Sequence, residues 1–182
     1  MRKIDIKDLN DNFFEAIGKE WMLVTAGDKD NFNLMTASWG GIGWLWNKPV
    51  AFVFIRPERH TFQFSEQSER MTLSFLGMEK EAREIYKVCG SKSGRDINKV
   101  EACGLKVVPT EHGDVTYDGA RLTLVGRKLY ADDLKPECFM NADTREKWYS
   151  STGNDSNADK GITNGYHKMY VIEITEAYVN DL

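Results

Sequence analysis

Three polar segments of this sequence carry side chains that could hold an anion or a flat ring. In the first, residues 33–41 (NLMTASWGG), Thr36 and Ser38 are two positions apart, so both hydroxyls point to the same side of a β-strand. Small residues that end in glycines allow a flat ligand to approach the backbone, whose N–H and C=O groups can bind the edge of a heterocycle. An edge strand that exposes two hydroxyls is the alternative interpretation.

The second segment, residues 55–61 (IRPERHT), follows a buried strand and begins a helix. It combines the guanidiniums of Arg56 and Arg59 with the Thr61 hydroxyl and a helix N-terminus, groups that suit a phosphate. A solvated charged turn, with Thr61 as the helix cap, is the alternative.

The third segment, residues 90–99, is a Gly/Ser loop that leads into a helix. Its cations at positions 92, 95 and 99 could bind an anion, although an ordinary exposed loop has the same composition. Aromatic surface for a flat ligand is present in Trp39, Trp44 and Trp46, which could equally fill the core or a dimer contact.

The sequence does not contain the usual motifs of nucleotide-binding, metal-binding or disulfide-rich proteins. The glycines at 40, 41 and 43 resemble a dinucleotide fingerprint, but Trp46 stands where the third glycine belongs, and Gly94 is not followed by the Lys-Ser/Thr pair of a P-loop. The three histidines (60, 112 and 167) share no ligand spacing with the cysteines, so we expect no metal site. Three cysteines without a CxxC do not form a disulfide framework, and Cys89 and Cys103 are interpreted as small buried residues.

The composition limits the class of protein. A chain of 182 residues with 41% hydrophobic residues predicts a single domain over residues 1–182 that buries a real core. A net charge of −4 lacks the basic surplus typical of nucleic-acid-binding proteins. No apolar run approaches the roughly 20 residues that span a bilayer, and the N-terminus lacks a signal-peptide pattern. We therefore expect no nucleic-acid or membrane partner and a cytoplasmic location.

The elements that must position these segments are mostly strands, with alternating or continuous apolar residues. Six or seven strands without βαβ alternation predict a mainly β fold, an antiparallel barrel with added helices. Gly18 is expected to end the first helix, the glycines at 40, 41 and 43 to interrupt the sheet, and residues 150–165 to form a long polar loop. The predicted strands are 21–26, 34–39, 50–55, 71–76, 105–108, 115–117, 120–130 and 168–179, and the predicted helices are 7–18, 59–68, 80–88 and 97–103.

Four runs occur in this order along the chain: NLMTASWGG (33–41), NKPVAFVFIRPERHT (47–61), MTLSFL (71–76) and SGRDINKV (93–100). Together they resemble the flavin reductase family, the FMN-binding split-barrel proteins that include flavoredoxin and ferric reductase. The resemblance covers roughly residues 15–110 and returns at YHKMYVIEI (166–174), which is similar to the family's closing strand. Val100 stands where family members often have Phe, which weakens the match in helix packing.

The resemblance implies a six-stranded Greek-key split β-barrel, usually a homodimer, with FMN at or near the dimer interface. Carried over by position, one set of residues would line the isoalloxazine and another would surround the ribityl-phosphate. The first set is Met35, Thr36, Ala37, Ser38 and Trp39; the second is Ser38, Arg56, Arg59 and Thr61, with Ser93, Gly94 and Lys99 closing the phosphate side.

The implied activity is that of an NAD(P)H-dependent flavin reductase, which passes electrons through FMN to free flavin, a ferric complex or a partner protein. The flavin performs the chemistry in such a protein, so no side chain is assigned as catalytic. His167 could contact the nicotinamide, or it could be a structural histidine at a strand start. The alternatives are a flavin-binding electron carrier without reductase activity and a split-barrel module for another ligand such as haem, which would need a histidine facing the pocket.

Overall fold

The computed structural model of the chain describes residues 1–149 and 165–180. Its framework is antiparallel throughout, in agreement with the mainly β prediction. The strands are β1 (Arg2–Ile4), β2 (Met22–Asp28), β3 (Asn31–Ala37), β4 (Gly40–Leu45), β5 (Lys48–Ile55), β6 (Arg70–Phe75), β7 (Val107–Pro109), β8 (Val115–Tyr117), β9 (Leu122–Asp133) and β10 (Lys168–Val179).

Eight of these strands form one sheet in the order β3-β2-β6-β9-β10-β5-β4, with β1 also paired to β10, and β7 and β8 form a separate hairpin. The first and last strands of this order, β3 and β4, are edge strands. The helices are α1 (Phe13–Glu15), which continues as a π-turn (Ala16–Glu20), α2 (His60–Gln67), α3 (Lys80–Ser91), α4 (Lys99–Ala102) and α5 (Ala142–Tyr149). No helix in these described ranges is long and apolar enough to cross a membrane.

Strand β2 shows why the sheet carries apolar residues on both faces. All five residues Met22–Ala26 are buried. Met22, Val24 and Ala26 enter the barrel core, whereas Leu23 faces a second apolar cluster with Tyr86 of α3 and Tyr117 of β8. Because successive side chains point to opposite faces, a strand covered on both sides has a continuous apolar sequence rather than an alternating one.

Two predicted interruptions are wrong. The glycines at 40, 41 and 43 belong to β4, where Gly41↔Phe52 is a direct register pair; a Cβ at Gly41 would lie only 3.6 Å from the Phe52 ring. The ring packs against the space that the glycines leave, so they continue the strand. Gly18 does not end the first helix, because the π-turn runs on to Glu20 and the Trp21 N–H donates to the Ala16 carbonyl.

Helix boundaries near position 90 also differ from the prediction. Residues 89–91 belong to α3 rather than to a loop, and the second predicted helical piece is reduced to Lys99–Ala102. The helix α5 was not predicted, because none of its described residues is buried and it therefore has no apolar stripe. The predicted polar loop at 150–165 lies outside the described residues except for Gly165.

The register of two long-range strand pairs brings three segments to one edge of the sheet. Lys168 of β10 pairs with Ile55 of β5, so His167 and Arg56 extend side by side beyond the paired ends. Helix α2, which follows β5, packs on β2 and β3, and α3 packs on β3. The three polar segments of the sequence therefore meet around the end of β5.

Candidate functional site

A cleft of about 210 Å³ lies between the start of α2 and the connection from α3 to α4; we call it the cationic cleft. It brings together four residues predicted for a phosphate, Arg59, Thr61, Ser93 and Lys99. Gly94 lies against its wall, with its ideal Cβ position 3.0 Å from His60 Cδ2. The complete lining is Glu58, Arg59, His60, Thr61, Ser91, Lys92, Ser93, Arg95, Asp96 and Lys99.

The cleft carries a positive charge. Four of its lining side chains are cations and two are carboxylates. Burial, reinforced by Arg95 and Lys99, lowers the pKa of His60, so the imidazole is neutral at pH 7. Burial and the nearby Arg59 guanidinium lower the pKa of Lys99 to about 8. Cations held close together in a partly desolvated space favour an anion between them.

Lys99 has a structural task as well. Lys99 is only 4% exposed, and its ammonium donates to the carbonyls of Leu34 on β3 (2.8 Å) and Cys89 on α3 (2.9 Å). The Cys89 carbonyl is in the last turn of α3, where a cation satisfies a backbone acceptor that the helix leaves open. An ammonium has three N–H donors, so one remains for a ligand in the cleft.

The wall beneath the cleft is a tight contact between β3, α2 and the loop at 94. Thr61 is fully buried, and its Oγ1 accepts a 2.7 Å hydrogen bond from Asn33 Nδ2, which leaves the hydroxyl hydrogen available. Thr61 is the second residue of α2, whose N-cap is Arg59, so the alternative that it caps the helix is wrong. A Cβ at Gly94 would lie 2.0 Å from Asn33 Oδ1, so only glycine allows this approach.

Two buried polar atoms on the cleft lack a hydrogen-bond partner among the described residues. They are His60 Nδ1 and Glu58 Oε2. The other oxygen of Glu58 accepts from the Gly165 N–H, which ties the chain after the undescribed segment to the cleft. Both unpartnered atoms are buried, so they belong to the wall of the cleft; buried polar groups in native proteins are nearly always satisfied, and these two are exceptions.

Beside the cationic cleft is an aromatic cluster formed by Trp39, Phe139, Trp148, Tyr149, Tyr166 and His167. Trp148 of α5 packs edge-on against Trp39, with ring centroids 4.8 Å apart, and Trp39 lies 5.1 Å from His167. Tyr149 and Tyr166 stack at 4.5 Å. Arg56 joins α5 to this cluster, because its Nη2 donates to the Trp148 carbonyl (2.8 Å) and its guanidinium lies over the Tyr149 ring.

His167 is buried in this cluster and hydrogen-bonded through Nδ1 to the Tyr149 hydroxyl at 2.8 Å. Burial, with the positive charges of Arg56 and Arg59, lowers its pKa to about 3. The imidazole is therefore neutral at physiological pH. It can orient a neighbouring group but does not supply a positive charge.

The segment Met35–Trp39 lies in the same region as the aromatic cluster, and its side chains have different roles. Met35 and Ala37 are in the barrel core. The Thr36 hydroxyl donates to the Tyr86 carbonyl of α3 at 2.6 Å, so it is not a surface hydroxyl even though β3 is an edge strand. Ser38 is half-buried and Trp39 exposed, and these two side chains remain for a ligand.

Sequence reasoning missed several residues of this site. Asn33, which supports Thr61, lies inside a run that was singled out, yet its type gives no sign of the buried bond. Trp148 and Tyr149 were missed because the helix that carries them has no apolar periodicity. Of the three tryptophans considered, Trp39, Trp44 and Trp46 are 39%, 69% and 56% exposed, so filling the core is wrong for all of them.

The comparisons with known proteins agree on one architecture. A family described as "Flavin reductase like domain" matches residues 14–181. No curated protein matches the chain.

Three solved structures illustrate the similarity, and at these low identities they establish the fold. An FMN-binding protein from Thermus thermophilus has a TM-score of 0.65 at 17% identity and covers 100% of this chain and 83% of its own. Flavoredoxin of Desulfovibrio vulgaris (Miyazaki F) gives 0.62 at 19%, covering 88% and 69%. The NADH:FAD oxidoreductase SgcE6 of Streptomyces globisporus C-1027 gives 0.59 at 13%, covering 88% and 75%. The split-barrel prediction is thereby confirmed.

Proposed function

We propose a function on the premise that this chain belongs to the flavin reductase like domain family, which it matches over residues 14–181. The protein binds FMN and transfers electrons from NADH or NADPH, through the flavin, to an acceptor. The acceptor is free flavin, a ferric complex or a partner protein. One observation carries the proposal: the cationic cleft brings Arg59, Thr61, Ser93 and Lys99 together beside β3.

The cleft fits a phosphate in charge and in size. A phosphate monoester carries close to two negative charges and accepts several hydrogen bonds. Arg59 and Lys99 would supply charge, and Thr61 and Ser93 would supply hydroxyl donors. The volume of about 210 Å³ is below the roughly 300–1,000 Å³ of sites that enclose drug-sized ligands, so it suits a phosphate group and not a whole cofactor.

The flat ring of FMN would lie outside the cleft, along Met35–Trp39 and the aromatic cluster. Ser38, Trp39 and the strand's backbone would bind and orient it, Arg56 would lie at its phosphate-proximal side, and α5 would exclude water. When bound, FMN supplies two-electron redox chemistry, so no side chain is assigned as acid or base. His167, held neutral and fixed by Tyr149, would contact the nicotinamide donor.

The further parts of the proposal concern the assembly. We propose a homodimer, for which the edge strand β4, with the exposed Trp44 on it and Trp46 in the turn that follows, offers an apolar surface. The chain acts as a single domain over residues 1–182. A cytoplasmic location stays a prediction.

A second candidate function is an FMN-binding electron carrier that NAD(P)H reduces slowly. The observation in its favour is the similarity in fold to flavoredoxin. The similarity in fold to an NADH:FAD oxidoreductase supports the reductase. Both functions use the same binding site, and they differ in the rate of reduction by NAD(P)H.

The test of the proposal has two stages. First, FMN and riboflavin are titrated separately into the protein, and the dissociation constants are measured from the change in flavin absorbance or fluorescence. Riboflavin lacks the phosphate, so the wild-type protein should bind FMN more tightly. Then the FMN complex is mixed anaerobically with NADH or NADPH. Bleaching within the time of mixing supports the reductase, and binding without bleaching supports the carrier.

Two variants with the same change of charge locate the phosphate. Arg59→Ala should weaken FMN binding by about 10- to 100-fold, because a hydrogen bond to a charged group contributes about 1.5–3 kcal/mol, and should leave riboflavin binding nearly unchanged. Arg127→Ala, which removes an exposed guanidinium paired with Glu173 on β10, is the control and should change neither. Equal loss of FMN and riboflavin binding in Arg59→Ala would show that the phosphate is not in the cationic cleft.

A further inference from the structure

Cys89 and Cys103 lie next to each other directly behind the cationic cleft. Their sulfur atoms are 3.8 Å apart. Cys89 is fully buried in the last turn of α3, whereas Cys103 is half-buried and immediately follows α4. Cys138, the third cysteine, is exposed and belongs to a different part of the chain.

We propose that Cys89 and Cys103 are a reversible redox pair that closes into a disulfide when the protein meets a peroxide. A disulfide has an S–S length of about 2.05 Å, so the sulfurs need to approach each other by about 1.8 Å. Cys103 can supply this movement, because α4 ends at Ala102 and Gly104 turns the chain away with φ +61°. Packing alone would also bring two small residues together, and the experiment below separates these cases.

The difference in exposure sets the order of the steps. The half-buried Cys103 thiolate attacks one oxygen of hydrogen peroxide, the O–O bond breaks, and Cys103 sulfenic acid and hydroxide result. The Cys89 sulfur then attacks the sulfenic sulfur, the S–O bond breaks, and water leaves with the thiol proton. In total two thiols lose two protons and two electrons, and the peroxide becomes two waters. Burial raises the pKa of the Cys89 thiol, so Cys89 reacts with its neighbour and not with the solvent.

The crosslink would enclose the loop that lines the cleft. Residues 90–102 lie between the two cysteines and include Ser93, Gly94 and Lys99. The Lys99 ammonium already binds the Cys89 carbonyl, so part of this segment is tied to the end of α3, and a covalent bond would add a connection between its two ends. Closing a ring of about 15 residues removes much of the entropy of the unfolded chain. Oxidation should therefore raise the thermal midpoint by roughly 5–10 °C.

The experiment uses the full chain with Cys138→Ser, which removes the exposed thiol and prevents crosslinks between molecules. After hydrogen peroxide treatment, the thiols are counted in denaturant and the protein is digested with trypsin. Cleavage after lysine and arginine releases Cys89 in VCGSK (88–92) and Cys103 in VEACGLK (100–106), so a disulfide appears as one species containing both peptides. We expect the thiol count to fall from two to zero, the linked peptide to appear, the midpoint to rise, and dithiothreitol to reverse all three.

Adding Cys103→Ser provides the control. Cys89 then has no partner and should keep its thiol under the same treatment, because it is buried. Retention of both thiols in the Cys138→Ser protein, or oxidation of Cys103 to sulfinic acid while Cys89 keeps its thiol, would overturn the proposal. Neither sulfur lines the cationic cleft, so this test is independent of flavin binding.

Discussion

Replacing Gly94 with alanine should both destabilise the protein and damage the cationic cleft. An alanine Cβ at this position would lie 2.0 Å from Asn33 Oδ1 and 2.9 Å from Asn33 Cγ, distances that non-bonded atoms do not reach. The Asn33 side chain must therefore rotate away. Its rotation breaks the 2.7 Å hydrogen bond to the fully buried Thr61 hydroxyl, a proposed phosphate ligand.

The size of the effect follows from these two contacts. Forcing an extra methyl group into a packed site costs about 1–3 kcal/mol. Leaving a buried polar group without its partner costs a further 1–3 kcal/mol or so. The free energy of unfolding of Gly94→Ala should thus fall by about 2–6 kcal/mol, which corresponds to a decrease of roughly 4–24 °C in the thermal midpoint of a chain of this size.

Urea denaturation of four variants, Gly94→Ala, Gly18→Ala, Asn33→Ala and the double variant at 33 and 94, measures this cost. Gly18→Ala is the matched control, because a Cβ at the exposed Gly18 meets nothing within 4 Å. It should be neutral or stabilising by up to about 1 kcal/mol, as alanine is the better helix former. Asn33→Ala combined with Gly94→Ala removes the atoms that clash, so the double variant should lose less stability than the two single variants summed, by about 1 kcal/mol or more.

Two results would refute this reasoning. If Gly94→Ala were as stable as Gly18→Ala, the loop at 94 would not pack against Asn33 as described. If the single variants were additive in the double variant, the cost of Gly94→Ala would have a cause other than Asn33. A weaker affinity for FMN without a change in riboflavin binding would further connect this wall with the phosphate.

Three more predictions rest on buried titratable groups. The affinity for FMN should decline above pH 8, by at most about tenfold per pH unit, because burial lowers the pKa of Lys99 to about 8 and its neutral amine does not attract the phosphate. In FMN titrations, Lys99→Gln should remove this decline of affinity with pH. The free energy of unfolding should fall by about 2 kcal/mol from pH 7 to pH 5, since burial and neighbouring arginines hold the pKa of His167 near 3 and the unfolded chain takes up a proton below about 6.5. If urea curves of His167→Gln showed the same fall between these two pH values, the prediction would be contradicted. Glu20→Gln should lower the free energy of unfolding by about 3 kcal/mol, because Glu20 is only 4% exposed and both oxygens of its carboxylate accept from Arg121 Nε at 3.0 Å. A loss below about 1 kcal/mol would show that the ion pair is dispensable.

Much of the fold could be predicted from local patterns. The strands at 115–117 and 168–179 match their predicted bounds, and β5 and β6 begin within two residues of them. Apolar alternation reports burial of a pleated surface, and burial is what stabilises these strands. The prediction failed where local pattern and tertiary contact disagree: the glycine-rich β4 is held as a strand by its pairing with β5, and α5 carries no buried face.

The sequence by itself determined the chemical types available at the site. Arginines, hydroxyls and glycines occur in three separate segments with spacings that resemble one family, and that resemblance is confirmed by the match over residues 14–181. These features are properties of residue type and short spacing, which do not depend on how distant segments meet.

Only the tertiary structure decided what each side chain does. Pairing of Ile55 with Lys168 puts His167 beside Arg56, although 111 positions separate these two residues in the chain. Lys99, read as a phosphate cation, also joins two backbone carbonyls across α3 and β3. Such roles depend on the register of non-local strand pairs and on desolvation by distant segments, neither of which acts within the few residues that a sequence pattern spans.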